Sequence, residues 1–110
     1  MIRPAVLAGI VLGLVAGSRA AVAGPVETGQ QVFAAQKCSI CHSVAGKGNL
    51  KGSLDGVAKK YNAAELREWI VNAKVMAQKH NATRKPPMKD FSSLQAADVE
   101  ALVAYLQTLK

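Results

Sequence analysis

A small all-α domain is what this sequence predicts, and three observations predict it. Apolar residues recur at three- and four-residue spacing in three separate stretches, around Val32, Leu66 and Leu102. No stretch alternates apolar and polar residues as a half-buried strand would. The intervals carry the punctuation of loops, with Gly46, Gly48, Gly52 and Gly56 in one and Pro86-Pro87 in another. The 110 residues suffice for one domain and show no internal repeat. A chain this short buries a modest core and usually needs a metal or cofactor to complete it.

Residues 1–23 read as an export signal. Arg3 is its positive start, Ala5 to Ala16 is an unbroken apolar run, and Ala21-Val22-Ala23 is a small-x-small cleavage site. Twelve apolar residues are too few to span a bilayer comfortably, and Arg19 follows them closely, so no stable membrane insertion is expected. Without paired arginines the general secretory route is expected. Residues 24–110 then form the folded domain, in a periplasmic location. Cleavage removes Arg3 and Arg19, leaving 12 of the 14 basic residues against all 7 acids. No charge block is long enough for a nucleic-acid tail, so nucleic acid is not an expected partner.

The first helix starts near Glu27, whose carboxylate favours the positive end of the dipole, and carries Gly29, Val32, Phe33 and Gln36 at helical spacing. Ser43 to Gly56 reads as a loop, too broken for a helix or a paired strand. Asn62 with Glu65 three residues later is a capping-box start for a second helix, striped by Leu66, Trp69, Ile70, Ala73 and Ala77 with Met76 at its edge. Asn81 to Pro87 is a polar, basic loop whose prolines fix an extended approach to Met88. The last helix is expected from about Ala96 to Lys110, with Val99, Leu102, Val103, Leu106 and Leu109 on its apolar face.

Between the first helix and the glycine-rich loop lies Cys38-Ser39-Ile40-Cys41-His42, which contains both cysteines of the chain. Two thiols three positions apart suit thioethers to the two vinyl groups of one porphyrin, and the adjoining histidine can reach the iron. This is the attachment signature of haem c. A thioredoxin-like redox pair, a zinc site completed by His42 and His80, and a plain disulfide remain alternatives. The first expects a βαβ pattern that is not found, and the second usually draws on another close pair of ligands. Covalent haem would also give the short helices a large flat apolar body to pack on.

The order of helix, Cys-x-x-Cys-His, glycine-rich loop, helix, proline-flanked Met88 and closing helix resembles the class I mono-haem cytochromes c, especially small bacterial periplasmic ones. The likeness runs from about Gly29 to Lys110 and implies three main helices wrapped around one haem. Gly29-x-x-x-Phe33 resembles the family's first-helix signature, and Leu102 to Leu106 its closing-helix segment. The resemblance therefore implies a close crossing at Gly29 and Phe33 packed near Tyr105. Pro86-Pro87-Met88 with Phe91 resembles the loop that carries the sixth iron ligand. One position departs from the pattern. Gly-Pro-x-Leu is common after the motif, whereas this chain has Lys51-Gly52-Ser53-Leu54. Leu54 can still pack on the haem, and Gly52 can still offer its carbonyl to the outer nitrogen of His42, the bond that sets the ring's tautomer.

The expected cofactor-binding residues are thus Cys38, Cys41, His42, Met88, Gly52, Leu54 and Trp69, with His42 and Met88 on the metal. A thioether is soft enough for haem iron. Met76 is expected in the core, where its stripe places it, and His80 exposed. Trp69 reads most simply as core, its alternative being an indole N–H bonded to a propionate, and Tyr61 has the same alternative. A histidine–methionine pair fills both axial positions, which favours electron transfer over catalysis, so no catalytic residue is expected. Lys37, Lys47, Lys51, Lys85 and Lys89 suggest docking to acidic patches on redox partners. The resemblance implies a dehydrogenase or quinol-oxidising complex as donor, an oxidase or reductase as acceptor, and a monomeric carrier.

Overall fold

The computed structural model describes residues 24–110 and, before them, only Gly9 and Gly13; the export signal expected over residues 1–23 lies outside the described residues. Helix α1 (Pro25–Ala35) opens with Pro at a position where its missing N–H costs nothing, and with Glu27 in its first turn. It stops because Lys37 turns left-handed, at φ 57°, while its N–H returns to the Ala34 carbonyl. The next residues, Cys38–Ile40, form one 3-10 turn.

Gly29 is where the chain closes on itself. It is buried on α1, and a Cβ there would overlap the Ala101 carbonyl and Tyr105 of the last helix. The missing side chain is what allows the two backbones to touch. One turn further on, the rings of Phe33 and Tyr105 meet edge to face with centroids 5.6 Å apart. The last helix, α5 (Ala96–Leu106), buries Val99, Ala101, Leu102, Val103 and Leu106.

Three expectations need correction. The glycine-rich loop contains a minimal hairpin, β1 (Ser43–Val44) antiparallel to β2 (Lys47–Gly48), in register Ser43↔Gly48 and Val44↔Lys47. The two linking residues, Ala45 and Gly46, have φ 51° and 80°, the positive pair of a type I′ turn. Strands of two residues are too short to show alternation. A 3-10 turn, Leu50–Gly52, and a short helix, α2 (Val57–Lys60), complete this region.

The second expected helix divides into α3 (Ala63–Val71) and α4 (Ala73–Lys79) at Asn72, whose φ and ψ are −128° and 44°. Its start is as expected. Asn62 accepts from the Glu65 N–H at 2.9 Å, and the Glu65 carboxylate accepts from the Asn62 N–H at 3.1 Å. The break is stabilised by exchanging partners. In an unbroken helix the Lys74 N–H would donate to the Ile70 carbonyl. Here Lys74 N–H donates to Asp90 Oδ1 at 2.9 Å, and the Ile70 carbonyl accepts from Phe91 N–H at 2.9 Å. Two adjacent residues from another segment satisfy both halves of one missing bond.

Helix α5 ends at Leu106 and not at Lys110. Beyond it the Thr108 hydroxyl donates to the Tyr105 carbonyl at 2.6 Å, and the Leu109 carbonyl turns to accept from Ala58 N–H of α2 at 3.0 Å. Such local side-chain bonds compete with helix continuation.

The core comprises Leu66 and Ile70 of α3 with Val99, Leu102, Val103 and Leu106 of α5, and Phe33, Leu54, Tyr61 and Phe91 pack around it. Ala73 and Met76 of α4 are buried as well, as expected for Met76. On the exposed side a two-pronged Arg67–Glu100 pair, at 2.6 and 2.8 Å, joins α3 to α5. Exposed pairs of this kind contribute little. No helix among the described residues is long and apolar enough to cross a membrane. Gly29→Val should lower stability by about 1–3 kcal/mol by overpacking the α1–α5 crossing, read as a reduced denaturation midpoint.

Candidate functional site

The residues from Cys38 to His42 are held by their own backbone and by the segment that follows. Cys41 N–H and His42 N–H both donate to the Cys38 carbonyl, at 3.1 and 2.9 Å. The hairpin then brings Asn49 back over them. Its N–H lies 3.1 Å from the carbonyls of both Ser39 and His42, and its side-chain amide donates to Ile40 at 3.0 Å. Both cysteines are free thiols and half-buried. Burial pushes the Cys38 thiol up, and Cys41 adds to that push, whereas its backbone hydrogen bond and the positive charge of Lys89 oppose it.

His42 is half-buried, and its Nδ1 lies 2.9 Å from the Gly52 carbonyl. A carbonyl oxygen can only accept, so Nδ1 carries the proton and Nε2 keeps a free lone pair. Burial holds the imidazole below its ordinary value, the Gly52 bond opposes this, and nearby Arg84 adds to the lowering. His42 is therefore neutral at pH 7, with a single tautomer and one nitrogen ready to bind a metal. The glycine at position 52, where the family this chain resembles commonly has proline, offers its carbonyl to the ring.

Arg84 is the residue that sequence reasoning missed. Its guanidinium Nη1 donates to the Cys41 carbonyl from a loop 43 positions further along the chain. A Cβ on Gly52 would overlap that nitrogen, so the bare backbone of Gly52 leaves the room that Arg84 uses. Its only sequence signal was its place in a basic loop before Met88, shared with several lysines.

Met88 is half-buried in a cleft of about 780 Å³ between its loop and α4, walled by Ala77, Gln78, Thr83 and Pro87 among others. None of the cleft's lining residues belongs to the cysteine segment. The two regions are joined through Arg84, which bonds Cys41, while Lys89 lies over the Phe91 ring at 4.8 Å.

Trp69 is half-buried on α3, with its Nε1 fully buried and without a hydrogen-bond partner. Its ring lies 5.9 Å from Tyr61 and 5.6 Å from His80, which is exposed at the end of α4. Leu54 packs against the core and donates its N–H to the Ser43 carbonyl at 2.9 Å. Ser43 is itself buried, with an unpartnered hydroxyl. No group of three or more His, Cys, Asp or Glu among the described residues is placed to hold a metal ion, so the four-ligand zinc arrangement does not form.

Thus Cys38, Cys41, His42 and Gly52 come together, Leu54 sits beside them in the chain, and Trp69 and Met88 lie on the α3–α4 side. An indole N–H can only donate, and a buried one without an acceptor is costly. A bound group carrying carboxylates would supply that acceptor, as the propionates of haem do. Two free thiols, a lone pair on His42 Nε2, a thioether and an unpaired indole N–H make a donor set that fits haem c. Asp90→Ala should remove the cap that holds the Met88 loop to α4 and lower stability by about 1 kcal/mol, with Asp90→Asn recovering most of it in thermal unfolding.

The family model described as Cytochrome c matches residues 26–110. Among curated proteins, the cytochrome c oxidase subunit 2 of Alkalihalophilus pseudofirmus is 32% identical over 110 aligned residues, covering 87% of this chain. The chain spans about a third of that relative's length, 30%. No solved structure matches significantly.

Proposed function

This chain belongs to the cytochrome c family, and from that premise we propose that it is a periplasmic one-electron carrier with His42 and Met88 as axial ligands. Haem c is the covalent cofactor of such a domain, and Cys38 and Cys41 fit its attachment motif. When bound, the haem supplies reversible one-electron exchange at its iron. The observation that carries the proposal is the His42 Nδ1–H bond to Gly52, which leaves Nε2 free beside two free thiols.

The residues have separate tasks in this reading. Cys38 and Cys41 would anchor the group by thioethers, so that a small domain keeps it through every cycle. His42 would present Nε2 from one side, with its ring held against rotation by Gly52. Met88 would bring its sulfur from the proline-led loop. A methionine raises the reduction potential relative to stronger donors, and burial acts in the same direction by disfavouring the added charge of the oxidised state. Trp69 would donate to a propionate, and Leu54 would cover an apolar face. With His42 and Met88 both holding the iron, no substrate would need to bind it. This leaves electron transfer as the activity and no residue with a catalytic role.

Docking is assigned to the exposed surface formed by the cysteine motif and the segment after the hairpin. Ile40 and Leu50 are 66% and 71% exposed, and Asn49 stitches their segments together. Lys37, Lys47 and Lys51 are exposed around them. A small apolar centre with a basic rim suits an acidic partner in a brief encounter. The partners proposed are a dehydrogenase or quinol-oxidising complex as donor and an oxidase or reductase as acceptor. Residues 1–23 would serve as the export signal that brings the apoprotein to the compartment where haem is attached.

The similarity to an oxidase subunit favours one second reading, in which the domain feeds electrons into a larger enzyme to which it stays bound. Isolation from the native source separates the two. The free carrier purifies as a small single chain, and the entry module purifies with its complex.

The oxidised protein, matured with its haem, should show the weak long-wavelength sulfur-to-iron band. Met88→Ala should lose that band. Met76→Ala should keep it while losing about 2–5 kcal/mol of stability through the cavity left in the core. A band that survives in Met88→Ala removes Met88 as ligand. The rate of reduction by an acidic redox protein should also fall as ionic strength rises, and replacing Lys37, Lys47 and Lys51 by Gln should lower the low-salt rate by about tenfold. A rate indifferent to salt removes the docking face.

A further inference from the structure

We infer that Arg84 is a positioning residue that clamps the Met88 loop shut against the haem-attachment segment, so that the two axial-ligand loops are coupled through one side chain. The inference rests on the reading of Met88 as sixth ligand.

The loop needs such a clamp. Residues 81–87 are all exposed. Their backbone is fastened at one end by Ala82 N–H to the Ala77 carbonyl at 2.8 Å, and the segment is fastened again at Asp90 and Phe91. Between those points, over residues 83–89, the bond from Arg84 to the Cys41 carbonyl is the one hydrogen bond among the described residues. Exposed chain with few bonds opens locally at low cost. A single charge-assisted contact within the span therefore governs how often it opens.

Arg84 is suited to that contact. Its guanidinium makes a charge-assisted bond to a carbonyl, about twice as strong as a neutral one. It lies against Gly52, the residue whose own carbonyl holds His42. Cys41, His42 and Arg84 thus converge on a single glycine, and any side chain at position 52 would overlap both the guanidinium and the Cys41 carbonyl. Lys85, the next cation along, makes no hydrogen bond or ion pair among the described residues. Only Lys85, Pro86 and Pro87 separate Arg84 from Met88, so a movement that releases the guanidinium frees the methionine with it.

The test uses the oxidised, haem-loaded protein and added imidazole, which takes the sixth position only when Met88 leaves. Arg84→Met keeps the length and loses the donor and charge, and it should bind imidazole about tenfold more tightly, the equivalent of one lost charge-assisted bond. Arg84→Lys, which can still donate to Cys41, should stay near the parent. Lys85→Met, which removes the same charge from the same loop, should match the parent. Amide hydrogen exchange at Ala82 and Phe91, the hydrogen-bonded amides that bound the span, should quicken in Arg84→Met alone, and this arm reads the clamp whether or not Met88 binds the iron. Unchanged exchange in Arg84→Met overturns the inference, and so does an equal gain in imidazole affinity in Lys85→Met. Absence of the sulfur-to-iron band in the parent overturns the Met88 reading instead, and the exchange result then decides the clamp by itself.

Discussion

The bond from His42 to the Gly52 carbonyl is the constraint around which the site is arranged. It asks a carbonyl ten residues away to return to the ring of a residue just past the cysteines. Every local feature from Ser43 to Gly52 serves that return. The two-residue strands reverse the chain in the least length available, and the positive φ angles of Ala45 and Gly46 give the tight turn its hand. Asp55 accepts from the Ala45 N–H at 2.8 Å and steadies the turn. Asn49 then ties the returning strand to Ser39, Ile40 and His42. The loop is irregular in outline but heavily bonded, as expected of a segment that must hold one nitrogen protonated and leave the other free.

A second economy operates on the opposite side. Breaking the helix at Asn72 gives up, among others, the backbone bond from Lys74 to Ile70, but it exposes a donor and an acceptor side by side. Asp90 and Phe91 occupy them, which fixes the chain just after Met88 to the middle of the α3–α4 helical layer. The stub of the loop before Met88 is held at Ala82. A helix break is thus the anchor of the Met88 loop, and the cost of the break is recovered in positioning.

Much of this was legible in the sequence, and the missed parts share a cause. The first and last helices, the capping box at Asn62, the close crossing at Gly29 and the contact of Phe33 with Tyr105 follow from periodicity, end signals and a family likeness. Each depends on residues near in sequence or on a motif that fixes its own geometry. The break at Asn72 could not be read in that way. Ala73, Met76 and Ala77 continue the apolar stripe of α3 almost in phase, and the partners that make the break affordable lie at Asp90 and Phe91. The early end of α5 was hidden for the same reason, since the Leu109 carbonyl is taken by an amide of α2. Arg84 looked like one basic residue among several. Only the folded chain shows that Gly52, lacking a side chain, leaves a place for its guanidinium.

The distribution of burial explains why a prosthetic group belongs in this fold. Aliphatic packing is concentrated between α3 and α5, where Leu66, Ile70, Leu102 and Val103 are almost fully enclosed. On the elements that carry the site, the large side chains Trp69, Met88, Leu54 and Phe91 are only half-buried. The two buried polar side-chain atoms without partners among the described residues, Ser43 Oγ and Trp69 Nε1, are also here, on the site elements and not in the aliphatic core. Half-enclosed apolar surface beside an unpaired buried donor is unfavourable in a finished protein interior. It becomes favourable when a flat apolar body with carboxylate edges completes the layer. The chain therefore reads as one part of a two-part core, and its free thiols are the means by which the other part is kept.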